Sequence, residues 1–174
     1  MKHSVRLWQL WGFAVTSLLG TLLHFVYDWS GKSVLVAPFS GVNESTWEHM
    51  KLLFWPMFIF TIIQSFFFCD RADFRCIKLR GTLLGLILIP VLFYTYNGVV
   101  GKSPDWVNIA IFFVSAAASY YYETRLFNTR KLQCSFPRLA LVLLFLIGGM
   151  FVLFTFATPS LGIFTDPLTG VNGI

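Results

Sequence analysis

The sequence predicts an all-α protein: a polytopic membrane helix bundle of five transmembrane helices, N-terminus inside and C-terminus outside. Three observations predict it. The chain is 56% hydrophobic and 12% charged, where a soluble domain is nearer a quarter charged. Five long stretches carry almost no formal charge. Basic residues gather in alternate connections between them.

The helices are expected over about 7–28, 46–69, 78–99, 105–123 and 138–158, with an outer tail over 159–174. A spanning helix needs about 20 apolar residues to cross roughly 30 Å of hydrocarbon. The first stretch exceeds the core of a signal peptide, about 7–15 residues. It runs into Asp28-Trp29-Ser30, which offers no small-residue cleavage site. Gly12, Thr16 and Gly20 recur along it at four-residue spacing, a pattern that lets helices approach closely in lipid. The second helix opens on Ser45 with Glu48 three residues on, a capping box. Gly81 and Gly85 give the third a GxxxG pair. The fourth is the weakest, with Asn108, Ser115 and Ser119. The fifth stops at Pro159. Pro56 and Pro90 lie within helices and should kink them. With no internal repeat or linker, residues 1–174 read as one transmembrane domain.

Charge sets the direction. Lys2, Arg6, Arg71, Arg75, Lys78, Arg80, Arg125, Arg130, Lys131 and Arg138 are ten of the 13 basic residues, and all fall on one side. Lys32, Lys51 and Lys102 fall on the other. The positive-inside rule places the first group in the cytoplasm, making this a multi-pass cell-membrane protein. The net charge of +5 forms no basic stripe with interleaved aromatics, which excludes a nucleic-acid partner. Cys69, Cys76 and Cys134 all fall on the basic side. Reduced thiols and no disulfide are expected there.

The chemistry-bearing residues gather at the opposite face. His24 and Asp28 are four apart and share a helix face above the small-residue row. Residues Asn43-Glu44-Ser45-Thr46-Trp47-Glu48-His49 open the second helix. Ionisable groups in a membrane are costly and mostly functional. Mixed histidine and carboxylate ligands suit zinc, and an open position on zinc generates a hydrolytic water. This reading assigns His24, Asp28 and His49 to a metal, with Glu48 or Glu44 as general base. Asn43, Asn97, Asp105 and Asp166 would complete the pocket; Asn108, Tyr94 and Tyr96 could join it. The implied function is a metal-dependent hydrolase acting on a lipid or peptide. The alternative is a binding, transport or accessory protein holding an ion or small polar ligand. No HExxH or other established metal spacing supports the first reading, and acids at a helix start also serve as caps. Tyr120 to Tyr122 with Glu123 and Arg125 read as an interface belt, and Gln64 as interhelical glue.

The tail from Thr158 carries one acid, Asp166, among many apolar residues. Its Asp-Pro and Thr-Gly steps are turn signals. It is expected to fold back over the cluster.

Three motifs carry a resemblance: Leu23-His24-Phe25-Val26-Tyr27-Asp28-Trp29, the run Asn43 to Leu52, and Phe164-Thr165-Asp166-Pro167-Leu168-Thr169-Gly170. They resemble a family of small bacterial integral membrane proteins of unknown function. The resemblance spans nearly the whole chain and implies five helices in one domain. It implies no activity or cofactor. Val171-Asn172-Gly173-Ile174 departs from it, lacking an aromatic before the last glycine.

Overall fold

A computed structural model of the protein describes residues 4–68, 70–129 and 132–174. Lys2, Cys69, Arg130 and Lys131, which entered the charge and thiol readings, lie outside the described residues. The described residues form five α-helices: α1 Val5–Trp29, α2 Thr46–Phe67, α3 Phe74–Val99, α4 Asp105–Thr129 and α5 Pro137–Phe156. A short 3-10 turn, Gly162–Phe164, follows in the tail.

Four of these helices, α1, α2, α3 and α5, are long and apolar enough to cross a membrane. α4 is long but less apolar. Its polar residues explain this: Ser115, Ser119 and Glu123 are buried. The outer surface is apolar on α1, α3, α4 and α5 alike. Leu18, Ile87, Val114 and Phe145 are each more than half exposed. Water does not tolerate apolar surface of that extent, and a bilayer does.

α4 packs against α1 and α3, and α5 against α3 and α2. The small residues sit where helices meet. A Cβ at Gly12 would fall 2.4 Å from the Tyr120 ring, and one at Gly20 2.5 Å from Phe112. As residue numbers rise on α1 they fall on α4, so the two helices run antiparallel. Gly81 and Gly85 of α3 admit Glu123 and Ser119 of α4 in the same way. α2 supplies the core that the others surround. Leu52, Leu53, Met57 and Phe60 pack with Ile111, Phe112 and Ala116 of α4. On its other side Trp47 and Phe54 pack with Leu144 and Phe151 of α5. α2 and α3 both run continuously through Pro56 and Pro90.

α3 and α4 extend past their apolar stretches, to Phe74 and Thr129. Beyond those stretches lies a buried ion pair, Lys78 Nζ to Glu123 Oε2 at 2.6 Å, with both side chains fully enclosed. Glu123 is therefore inside the bundle, not in an interface belt. Lys78 also stands 5.1 Å from the Tyr120 ring centroid, and Tyr120 pairs its hydroxyl with Thr16 at 2.8 Å.

The thiol expectation needs correction. Cys76 and Cys134 form a disulfide, their Cα atoms 5.8 Å apart. They are 58 residues apart in sequence. Only the packing of the α4–α5 connection against the start of α3 brings them together.

Candidate metal centre

The site is built where α1 ends and α2 begins. α1 carries His24 on the side continued from Gly12, Thr16 and Gly20, all buried. The connecting segment, residues 30–45, is then pinned to α1. The Tyr27 amide donates to Ser40 Oγ at 2.9 Å, and Ser40 Oγ donates to the Leu23 carbonyl. The Gly41 amide also reaches the Leu23 carbonyl. This return brings Glu44 against His24.

α2 then starts with its expected N-cap, the Glu48 amide donating to Ser45 Oγ at 3.4 Å. The reciprocal half of the capping box is absent. The Ser45 amide donates to Asn43 Oδ1 at 2.9 Å instead. One turn in, His49 points back toward His24.

Glu44 stands between the two imidazoles. Its Oε1 is 3.5 Å from His24 Nε2 and its Oε2 is 3.6 Å from His49 Nε2. The two rings lie 5.9 Å apart. One donor atom from each of His24, Glu44 and His49 lies within 4.8 Å of the others, and all three residues are half-buried. His49 Nδ1 is 3.0 Å from the Ser45 carbonyl oxygen. A carbonyl only accepts, so Nδ1 carries the proton and Nε2 offers its lone pair to the cluster.

Two cavities meet at this cluster. One, of about 270 Å³, is polar: Asn97, Lys102, Ser103, Asp105 and Asn108 line it beside His24, Glu44 and His49. The second, of about 240 Å³, shares His24, His49 and Asn108 but is otherwise walled by Leu52, Phe112 and Phe113. Thr21, Phe25 and Phe113 on its rim are exposed, so it opens sideways between α1 and α4. The far wall of the polar cavity is tied together. The Ser103 amide donates to Asn97 Oδ1 at 2.9 Å and Ser103 Oγ to Asn108 Oδ1 at 2.8 Å.

With that geometry in view, the chain can be placed among known proteins. It belongs to a family of unknown function, DUF6512, whose model matches residues 1–174. No curated protein and no solved structure is similar to it.

Within this DUF6512 chain the sequence-assigned residues divide. His24, Glu44 and His49 come together, and Asn97 and Asp105 line the same cavity. Asp28 does not join them. It is exposed near the end of α1, and Glu44 occupies the third position of the cluster. Each four-residue step along the small-residue row turns about 40°, and by Asp28 the row has wound outward. Glu48 is also misassigned as a base. Its Oε2 lies 2.6 Å from Lys51 Nζ and accepts from the Val42 amide at 3.0 Å. Both partners are buried, and Lys51 also donates to the Ala37 carbonyl at 2.7 Å and to Thr155 at 3.1 Å. Glu48 thus joins the connecting segment, α2 and α5, away from the cavity.

Asn43 holds the tail: its Nδ2 donates to the Gly173 carbonyl at 3.0 Å. Asp166 is buried but serves its own turn, accepting from the Leu168 amide at 2.7 Å and Thr169 Oγ1 at 3.0 Å. The tail does pack back, with the Phe164 ring 4.7 Å from Trp47. Pro167 and Leu168 reach the polar cavity. Tyr94 and Tyr96 do not line it. Lys102 and Ser103 do, and sequence reading missed both. A short Gly-Lys-Ser-Pro connection carries no pattern that marks it as a cavity wall.

Proposed function

We propose that the protein binds a divalent metal of the zinc class through His24, Glu44 and His49, and uses it to hydrolyse an amphiphilic substrate. The observation that carries this is the cluster of three donor atoms within 4.8 Å. Two histidines and a glutamate are a known catalytic zinc set, leaving a fourth position for water. The metal would lower the pKa of that water and polarise the bond to be cleaved. Water adds across an ester or amide link: its oxygen goes to the acyl carbon and a proton goes to the leaving group. Asp105, on the cavity wall, is the carboxylate free to carry that proton. The neighbouring polar and apolar cavities suit a substrate with a headgroup and a chain.

In this reading all five helices cross the membrane. Charge asymmetry places the N-terminus in the cytoplasm and the metal centre at the outer face.

One observation favours a second reading. Glu44 stands 3.5 and 3.6 Å from the two imidazoles, so a protonated imidazole would pair with its carboxylate without an ion, and the cluster can act as a non-enzymatic ligand pocket. Elemental analysis of purified protein separates the two. The hydrolase reading expects one metal per chain, lost in His24→Ala and His49→Ala. A wild-type protein that takes up no metal from excess zinc would end it.

A further inference from the structure

A second groove lies at the other end of the α1–α4 seam. It encloses about 490 Å³. Its sides are the outward faces of the two antiparallel helices. Arg6 of α1 and Arg125 of α4 sit at one end of it, with Asn128 and Thr124 beside them. Leu10 and Phe13, then Tyr121 and Ala117, continue it toward mid-bundle. The spacing is regular. Arg6, Leu10 and Phe13 recur at four and three residues, as do Ala117, Tyr121 and Thr124, so each set shares one helix face.

The charges in this groove are uncompensated. No acidic residue lines it. Neither arginine makes an ion pair among the described residues, and both are exposed. Gln9 lies at the inner edge of the groove. It is 3% exposed, lines the groove, and has no hydrogen-bond partner on its amide nitrogen or oxygen. It leans toward the Glu123 carboxylate, short of hydrogen-bond geometry.

We infer that this groove is a binding site for one anionic phospholipid, with its phosphate between Arg6 and Arg125 and an acyl chain along Leu10, Phe13, Ala117 and Tyr121. The charge complementarity decides the occupant. A zwitterionic lipid would bring a cation against two guanidinium groups. A soluble anion would leave the apolar length of the groove unused. Arginine suits the task because its planar fork meets phosphate oxygens in pairs. Basic pockets between membrane helices bind acidic headgroups on this principle. The site is separate from the metal centre and does not depend on it.

The test uses the whole chain in nanodiscs of phosphatidylglycerol mixed with phosphatidylcholine, with retained lipid read by native mass spectrometry. Wild type should keep one phosphatidylglycerol per chain. Arg6→Gln with Arg125→Gln should weaken retention roughly 30-fold, about fivefold for each basic residue. Ala117→Phe, which fills the apolar part and keeps both charges, should also release the lipid. It carries the test if the double variant does not fold. Inorganic phosphate should not displace the lipid. Equal retention of phosphatidylcholine, retention by both variants, or displacement by phosphate alone would each overturn the inference.

Discussion

His49 donates through Nδ1 to the carbonyl oxygen of Ser45, 3.0 Å away and one helical turn earlier. The bond uses a backbone group of the N-cap itself, so the start of α2 and the orientation of the imidazole are set together. It leaves Nε2 unprotonated on the side of Glu44 and His24. Histidines that bind metals are generally held by such a second bond.

Metal binding should therefore compete with protons. Both imidazoles must be neutral to act as ligands. Zinc affinity, measured by calorimetry in detergent, should fall as pH drops below the range where imidazole titrates. His49→Ala should cost more than the roughly 10–100-fold expected for losing an outer partner. Affinity independent of pH between 5 and 7.5, or unchanged in His49→Ala, would remove the cluster as a metal site.

The Glu48–Lys51 pair should be structural. Lys51 has three acceptors in reach: Glu48, Ala37 and Thr155. Removing one member of a buried pair strands the other charge, at about 3–5 kcal/mol. Lys51→Met should lose that much stability in a detergent denaturation series, and Glu48→Gln with Lys51→Met should lose less than Lys51→Met alone. Metal stoichiometry should stay unchanged in the double variant. Single variants as stable as wild type would mean that the pair contributes little; loss of metal would return Glu48 to the site.

The tail should be an ordered cover. Phe164 is buried against Trp47 and Phe154, with ring centroids 4.7 and 5.6 Å away. Gly173 has φ of +72°, and a Cβ there would fall 2.3 Å from Thr158 Oγ1. Phe164→Ala should cost about 3–5 kcal/mol, the range for a buried aromatic, and Gly173→Val should loosen the same turn. Limited proteolysis should then cut residues 159–174 in both variants and spare wild type. Rapid cleavage of the wild-type tail would show that it does not cover the cavity.

Much of this architecture was legible in the sequence, and the gaps have physical causes. Helix positions follow from the length of each uncharged stretch. The burial of Lys78 and Glu123 does not, because they read singly as surface charges and neutralise each other only across 45 residues of sequence. His24 was legible because it continues the row of Gly12, Thr16 and Gly20. Asp28 was misread because that row winds, and one turn further it reaches the surface. Glu44 could not be told from Glu48 by helical spacing. The path of residues 30–45 decides between them, and a Ser40 hydroxyl caught by the end of α1 fixes that path.

The remaining prediction joins orientation to redox state. Arg6, Arg71, Arg75, Arg80, Arg125 and Arg138 belong to the same end of the bundle as Cys76 and Cys134. The charge rule assigns that end to the cytoplasm, where glutathione keeps thiols reduced. The structure nevertheless joins the two cysteines in a disulfide. With the basic end inside, the bond should be open in growing cells and close once they are lysed in air. Cells quenched in acid and treated with a maleimide-polymer reagent should show Cys76 and Cys134 both modified, and a C-terminal reporter should be active outside. Cys76→Ser should leave the level of folded protein unchanged in those cells. A pair found oxidised before lysis, together with an inactive outer reporter, would invert the protein in the membrane. The His24, Glu44 and His49 cluster would then face the cytoplasm, and a substrate of the proposed hydrolase would have to come from the inner leaflet.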